Sequence, residues 1–154
     1  MPLPTTFPTE TLLRRALAIA VEAKADGAAP FGALIANRDG HIVAEAPNTT
    51  RVEGGISRHA EINAIERAMA VHGGKLTDHI LLTSAEPCQM CAGAVFWAGL
   101  STVIYAVSIP KLIELNGPQS QIDLACRTIL ERAPLPIEVI GPMLEEEGAV
   151  VFYR

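Results

Sequence analysis

Apolar positions along the first half of the chain follow helical and strand periodicities in turn. Apolar residues recur at helical spacing between Thr9 and Gly27, which predicts a first helix with Thr9 as its cap. The next segment contains two apolar runs joined by Asp39-Gly40, a dipeptide that favours a β-hairpin. A second helical pattern begins at "RHAEINAIERA", residues 58–68, and is expected to end before Gly73.

Shorter segments complete the pattern in the second half of the chain. Apolar runs predict strands at 79–84, 101–108 and 137–141, and helical stretches at 88–99, 111–115 and 121–133. The element order αββαβαβαβ predicts an α/β fold, a three-layer α/β/α sandwich with helices on both faces of a mixed sheet. In the tail, residues 143–154, the glutamates favour a helix while Gly148 and the adjacent valines weaken one, so both states remain open.

Composition narrows the class of protein. The chain has 154 residues, of which 49% are hydrophobic and 19% charged, as is typical of one compact domain. The apolar runs are too short to cross a bilayer, and "MPLPTTFPTE" lacks the basic start and apolar centre of a secretory signal. We therefore expect a cytoplasmic protein with no membrane partner.

Charge and cysteine content point away from polyanions and towards metal or redox chemistry. A net charge of −5 and a pI near 5.3 give no general attraction to phosphates, so a nucleic-acid partner is not expected. The cysteines number three, and two of them lie three apart in "PCQMC". In a reduced compartment this spacing suggests a metal site or a redox pair before a disulfide.

Two predicted helices begin with side chains that bind metals. Cys88 and Cys91 share one helix face, and Pro87 suits the start of that helix. Free backbone N–H groups and the helix dipole favour thiolates there. His59 begins the other helix, two residues before Glu61. If neighbouring strand ends deliver both helix starts, these side chains converge at the crevice where α/β folds bind ligands.

One nitrogen and two sulfur ligands suit a tetrahedral zinc whose fourth position is open to water. In such a site Glu61 has a role, because a carboxylate beside a metal-activated water can take its proton and pass it on. A thioredoxin-like redox pair would leave His59 and Glu61 unexplained. A purely structural zinc would need a fourth protein ligand and would give Glu61 no role.

These residues carry a resemblance to a known family. "HAE" at 59–61 and "PCQMC" at 87–91 match the signature of the zinc-dependent cytidine and purine deaminase superfamily, and the similarity extends over about residues 12–107. The chain is most similar to the branch of guanine deaminases and tRNA adenosine deaminases. The resemblance implies a single deaminase domain over 1–154, a five-stranded sheet, a homodimer, Zn²⁺ held by His59, Cys88 and Cys91, and Glu61 as the catalytic proton shuttle.

The resemblance also suggests residues that contact the substrate. Asn48 matches the family's base-binding asparagine, and the backbone N–H of Ala60 is expected to read a ring nitrogen or carbonyl. Phe31 is expected either beside the base or in the core, and Trp97 either in the pocket, in the core or at a dimer interface. Phe152 and Tyr153 are candidates for an aromatic lid, in the same chain or across a dimer.

The expected activity is hydrolytic deamination of a free nucleobase or nucleoside, a purine such as guanine first. The case for guanine as the substrate is weakened by the segment "SIPKLIELNGPQSQ". Relatives that act on guanine often carry acidic residues there, whereas this chain offers Glu114, Asn116 and Gln119. The alternatives are a tRNA adenosine deaminase, a cytosine or triazine deaminase, and a non-enzymatic zinc-binding module. Glu145, Glu146 and Glu147 disfavour tRNA, because gripping RNA needs cationic side chains.

Overall fold

The computed structural model describes residues 2–153 as an α/β/α sandwich around one five-stranded mixed sheet. Its helices are α1 (Thr9–Ala25), α2 (Ala60–His72), α3 (Gln89–Ala98), α4 (Ile109–Asn116), α5 (Cys126–Leu130) and α6 (Glu145–Ala149), followed by a 3₁₀ turn (Val150–Phe152). Its strands are β1 (Gly32–Ala36), β2 (Ile42–Pro47), β3 (Ile80–Ala85), β4 (Thr102–Val107) and β5 (Glu138–Ile140). The predicted fold class is confirmed.

The sheet has the order β2-β1-β3-β4-β5, and β1 is the strand that makes it mixed. It pairs antiparallel with both β2 and β3, whereas β3, β4 and β5 run parallel. The predicted hairpin is β1-β2, with Gly40 in a left-handed conformation (φ 86°). Because β2 and β3 flank β1 and point the same way, their carboxyl ends reach the same edge of the sheet.

Both faces of the sheet are buried, which explains the continuous apolar runs in β1, β3 and β4. Alternate residues pack against opposite layers: Ala33 and Ile35 join the cluster under α2 and α3, and Leu34 and Ala36 join the cluster under α1. In residues 2–153, no helix combines the length and apolar character needed to span a membrane.

Helix α1 lies unusually close to β1. Gly32 faces this helix, and a Cβ atom built on it would lie 2.5 Å from the carbonyl oxygen of Ala16 and 2.7 Å from the backbone nitrogen of Ala20. Ala16 and Ala20 are themselves fully buried. Backbone therefore packs directly on backbone at this point.

The ends of two early helices agree with the sequence pattern to within a residue. Helix α2 ends at His72, and Gly73 follows it in the left-handed conformation (φ 84°). Helix α1 starts at Thr9, so the predicted cap is the first helical residue and Pro8 takes the capping position.

The predicted helix over 121–133 is much shorter in the structure. Only Cys126–Leu130 is helical. The preceding residues are held in a turn because the side chain of Gln89 donates to the carbonyls of Ile122 and Leu124 (Nε2···O 3.3 and 2.9 Å). The tail, which the sequence left open, forms α6 and the 3₁₀ turn.

Candidate active site

His59 occupies the capping position immediately before α2, with extended backbone angles (φ −68°, ψ 152°). Its side chain makes no capping hydrogen bond. On a regular helix, residues two apart point in directions about 200° apart. His59 precedes the first helical residue and has an extended backbone, so this angle does not apply to it. Its ring can therefore point to the same side of the helix start as the side chain of Glu61.

Cys88 occupies the equivalent position before α3 (φ −68°, ψ 178°), also without a side-chain capping bond. Cys91 follows within the first turn of α3 and is fully buried. The two helix starts follow β2 and β3. The sequence analysis considered neighbouring strands, but β1 lies between β2 and β3 in the sheet.

The three side chains converge on one point. The Nδ1 atom of His59 lies 3.6 Å from the Sγ of Cys88 and 3.5 Å from the Sγ of Cys91, and all three ligand atoms lie within 4.8 Å of one another. Tetrahedral zinc, with bonds of about 2.0–2.1 Å to nitrogen and 2.3 Å to sulfur, separates such ligands by about 3.6 Å. The triad therefore fits Zn²⁺ in both donor type and spacing.

Contact between the two thiols shifts their pKa values in opposite directions. The pKa of Cys88 is lowered to about 4 by the hydrogen bond from Cys91 and by His59, and the pKa of Cys91 is raised by the hydrogen bond with Cys88 and by burial. The same contact with Cys88 raises the pKa of His59. Because metal ligands must be deprotonated, loading this site with a divalent cation releases protons.

Glu61 lies beside the triad. Its Oε2 atom is 3.7 Å from the Sγ of Cys91, and its Oε1 atom accepts a hydrogen bond from the Thr83 hydroxyl (3.2 Å). Burial raises its pKa. Glu61 is only 6% exposed, yet it lines the cavity described next, so it lies between the candidate metal ligands and the space for a bound molecule.

A cavity of about 400 Å³ opens over the triad, a size typical of small-molecule sites. Besides His59, Glu61 and Cys88, it is lined by polar residues and by apolar or aromatic ones, namely Asn48, Arg51, Glu86, Asn116, Ser120 and Gln121, and Ala29, Pro30, Phe31, Ala85, Leu112 and Phe152. The cavity has the triad and Glu61 at one end and a wall of polar and aromatic side chains around it. This combination suits a flat heterocycle.

Comparison with protein families matches residues 8–107 to the cytidine and deoxycytidylate deaminase zinc-binding region. This span contains the whole triad and Glu61. The chain belongs to this deaminase family. Members of the family are hydrolytic enzymes, so the enzyme class and the zinc cofactor expected from the sequence are confirmed, and His59, Cys88 and Cys91 lie close enough together to bind the metal.

Relatives within the deaminase family act on different bases. A guanine deaminase from Bacillus subtilis is 46% identical over 115 residues, covering 73% of each chain. A probable cytosine deaminase from Schizosaccharomyces pombe is 34% identical over 141 residues, covering 90% of this chain and 86% of the relative. The structure of guanine deaminase from Nitrosomonas europaea shares the fold, with a TM-score of 0.83, 23% identity and coverage of 97% and 85%.

Three of the predicted substrate contacts lie in or next to this deaminase's cavity. Phe31 lines it at the start of β1 and packs on Phe152, with ring centroids 5.5 Å apart. Asn48 lines it after β2, and its Oδ1 accepts hydrogen bonds from the backbone N–H and hydroxyl of Thr50. Ala60 is the first residue of α2, where a backbone N–H has no partner within the helix.

Trp97 is placed elsewhere. Its side chain is 73% exposed on the outer side of α3, where it packs edge-on against Phe96, and it does not belong to the cavity lining given above. Glu114 is likewise exposed and pairs with Lys111 on the surface of α4 (Oε1···Nζ 3.5 Å). Instead, Asn116, Ser120 and Gln121 supply the polar wall in this part of the deaminase fold.

Glu86 is a site residue that the sequence analysis missed. This residue is 4% exposed, and its carboxylate accepts hydrogen bonds from the backbone N–H groups of Ile109 and Cys126, both at 2.8 Å. It thereby fixes the starts of α4 and α5 beside Cys88. The available signal was a lone acidic residue at the end of an apolar strand, directly before the cysteine motif.

Asn63 was missed as well. Its side-chain amide donates to the carbonyl of Pro47 (3.0 Å), the hydroxyl of Thr49 (2.9 Å) and the carbonyl of Arg58 (3.3 Å). These bonds tie the loop after β2, which carries Asn48, to the helix that carries Glu61. A polar residue on the buried face of α2 was the signal for this role.

Proposed function

We propose that this protein is a zinc-dependent hydrolytic deaminase of a free nucleobase or nucleoside, with a purine such as guanine as the first candidate. The observation that carries the proposal is the ligand triad beside Glu61 at the base of a cavity of about 400 Å³. The reaction replaces a ring C–NH₂ bond by C=O, consuming water and releasing ammonia.

His59, Cys88 and Cys91 hold the metal in this proposal. Zinc bound by these residues would supply Lewis-acid chemistry that lowers the pKa of water to about 7. Glu61 carries the protons. It takes one from the water and delivers it to a ring nitrogen, so that the adjacent carbon becomes electrophilic; it then takes the second from the hydroxyl now on that carbon and delivers it to the departing amine, which leaves as ammonia while the C=O bond forms. Thr83 holds the carboxyl group in place through its contact with Oε1.

Three further residues orient the base. The Oδ1 of Asn48 is engaged with Thr50, which leaves the side-chain N–H groups as donors towards an acceptor on the ring. The N–H of Ala60 is a second donor at the start of α2. Phe31 packs against a face of the heterocycle, with Phe152 beside it in the same chain.

Several observations support a small purine over RNA. The most identical of the relatives described above is a guanine deaminase, and a cavity of about 400 Å³ has room for a bicyclic ring. Arg51 is the one Arg or Lys among its described lining residues, and the chain carries a net charge of −5. Gripping a structured RNA requires many cationic contacts to phosphates.

We also propose a homodimer, as the family resemblance implies. Trp97, 73% exposed on α3, is a large apolar side chain that such an interface would cover. Sedimentation of the purified protein tests this assignment: one species of twice the 16.4 kDa chain mass supports it, and a monomer at micromolar concentration contradicts it.

Substitution of the proposed proton shuttle tests the activity. Ammonia release is measured for guanine, guanosine, adenine, adenosine, cytosine, cytidine, ammeline and tRNA, with zinc content determined in parallel. We expect the wild-type protein to deaminate at least one small substrate, and Glu61→Ala to lose about 10²- to 10⁴-fold in rate while retaining zinc.

Two results contradict the proposal. A zinc-loaded wild-type protein that releases no ammonia from any of these compounds is a binding module. Activity on tRNA alone would show that the electrostatic argument for a small substrate is wrong.

A further inference from the structure

The loop between β2 and α2 separates two residues that act on the same molecule in the proposed function. Asn48, which orients the base, is the first residue after β2, and His59, which holds the metal, is the last residue before α2. Ten residues, 49–58, lie between them. Surface loops are usually more mobile than the elements that they connect, so the distance between Asn48 and His59 depends on what holds this loop.

The tip of the loop is not held by burial. All seven residues from Arg51 to Ser57 are exposed, and Ile56 is 84% exposed. A Cβ atom built on Gly54 or on Gly55 would meet nothing within 4 Å. The placement of the loop therefore depends chiefly on how its two ends are fixed.

One buried side chain bonds both ends. Asn63 lies on the buried face of α2 and is 5% exposed. Its Nδ2 atom donates to the carbonyl of Pro47 (3.0 Å) and to the carbonyl of Arg58 (3.3 Å). Pro47 directly precedes Asn48, and Arg58 directly precedes His59. A single amide group thus joins the residue before the base contact to the residue before the metal ligand.

Two further hydrogen bonds complete this arrangement. The Nδ2 of Asn63 also donates to the hydroxyl of Thr49 (2.9 Å), and the N–H of Thr49 donates to the carbonyl of Arg58 (2.9 Å). Asn63 is itself fixed, because its backbone N–H donates to the carbonyl of His59 (2.9 Å). Removing a donor from such a buried group leaves its acceptors unpaired, so these contacts are costly to break.

We infer that Asn63 is a positioning residue that sets the distance between a base bound by Asn48 and the metal ligand His59. This inference rests on the proposed deaminase function. In that reaction the ring carbon has to lie within reach of the attacking water, and a displacement of about 1 Å can cost about 100-fold in rate. Asn63 is not among the described residues that line the cavity, so it acts through Asn48 and His59.

Loss of the Asn63 donors should therefore affect the rate more than the affinity. Asn48 keeps contacts of its own, since its N–H donates to the carbonyl of Phe31 (3.2 Å) and its Oδ1 accepts from Thr50. Its side chain can still bind a base, but the tie to the loop end before His59 is weakened. An interaction that matters only in the transition state lowers kcat and leaves KM nearly unchanged.

Two substitutions remove the donors with little change in volume. Asn63→Asp is isosteric but turns acceptor oxygens towards the carbonyls of Pro47 and Arg58, and Asn63→Leu has no polar side-chain atom. We measure kcat and KM at saturating zinc for the small substrate on which the wild-type protein is most active. In both variants kcat should fall about 10- to 100-fold, and KM should change less than about threefold.

Two controls separate positioning from a general loss of stability or of loop structure. Leu76→Ala removes a fully buried side chain beyond the other end of α2 and should destabilise the protein without changing kcat or KM. Ile56→Ser changes the exposed tip of the same loop and should also keep both constants. All assays are run below the melting temperature of the least stable variant.

Amide hydrogen exchange provides a readout that does not depend on activity. The N–H of Thr49 should exchange at least about tenfold faster in both Asn63 variants, relative to the amides of β3, because its bond to Arg58 loses support. If the wild-type protein releases no ammonia, the proposed function fails, while this acceleration still supports Asn63 as the residue that holds the two loop ends. The inference is overturned by unchanged exchange at Thr49, by an unchanged kcat or a loss confined to KM in both Asn63 variants, or by an equal loss of kcat in Leu76→Ala.

Discussion

The starts of α2 and α3 differ from the start of α4 in what the capping side chain does. Ser108 caps α4 in the usual way, its hydroxyl accepting from the N–H of Lys111 (3.3 Å). His59 and Cys88 occupy the same position on their helices with similar extended backbone angles, yet neither forms a capping bond. At these two helices the side chain that ordinarily stabilises the helix is available to bind metal instead.

The difference shows how one local geometry serves two purposes. A residue at this position projects its side chain beyond the helix end, over free backbone N–H groups. A hydroxyl there stabilises its own helix, whereas an imidazole or thiolate reaches across to another helix. A metal held by these side chains would thus join two helices that follow non-adjacent strands.

The largest expected effect comes from removing a metal ligand. His59→Ala and Cys88→Ala should each lose bound zinc and reduce ammonia release below detection, whereas Ser108→Ala should keep both. Metal content by mass spectrometry, measured beside the activity assay, checks this contrast. Retention of stoichiometric zinc in both ligand variants would contradict the assignment of the triad.

Zinc removal should be the next largest effect. A metal that binds only the folded state stabilises it by about 4 kcal/mol at a free concentration 1,000 times its dissociation constant. Chelation should therefore lower the melting temperature of the wild-type protein by several degrees, and calorimetry with and without chelator measures the shift. Cys88→Ala is the control, since its melting temperature should be insensitive to chelator.

Glu86→Gln tests the coupling between the α3 and α4 starts. The amide retains one acceptor but turns N–H donors towards a backbone N–H, so we expect a loss of about 1–3 kcal/mol in the free energy of unfolding. Zinc content should persist, because Glu86 does not bind the metal. Urea denaturation measures the loss, and a change below about 0.5 kcal/mol would show that the two contacts at 2.8 Å contribute little.

Ser108→Ala should have a smaller effect, about 0.5–1 kcal/mol, because the capping bond of 3.3 Å is long. Placing alanine at position 59 or 88 removes no capping bond, so any loss of stability there should disappear when metal is absent. Urea denaturation of all three variants in chelator makes that comparison.

The smallest effect should come from an ion pair remote from these helix starts. Arg15 forms a two-point contact with Glu45 (2.8 and 2.9 Å), which lowers the pKa of that carboxyl group. Because the folded pKa is lowered, the stabilisation is present above the ordinary pKa of glutamate and is lost as pH falls through the folded value. Glu45→Gln should cost no more than about 1 kcal/mol at pH 7.

Denaturation at several pH values measures this dependence. The difference between the wild-type protein and Glu45→Gln should shrink steadily below about pH 4, where the wild-type carboxylate becomes protonated. A difference that grew with acidity would contradict the assigned cause of the shift.

The sequence predicted the parts of the site that depend on short-range spacing. Cys88 and Cys91 lie three apart across the start of α3, and His59 precedes Glu61 at the start of α2, so local spacing was enough to predict that these side chains act together. The apolar runs likewise predicted β1, β3 and β4, because strands buried on both faces are continuously apolar.

The parts that the sequence missed depend on contacts between distant segments. Glu86 binds backbone groups 23 and 40 residues further along the chain, and Gln89 shortens the predicted helix over 121–133 through carbonyls 33 and 35 residues away. The insertion of β1 between β2 and β3 also follows from tertiary pairing. The sequence placed Trp97 on an apolar helix, which made a pocket position one of its possible roles. Which face of α3 points into the protein depends on tertiary packing, and Trp97 lies on the exposed face.

The close approach at Gly32 limits how this cavity can change. Phe31 lines the cavity and immediately precedes the point where α1 rests on the strand backbone. Even a methyl group at position 32 would lift the helix or shift the strand, carrying the aromatic ring with it. We therefore expect substitutions that adapt the enzyme to a new base on the α4 side of the cavity rather than beneath Phe31.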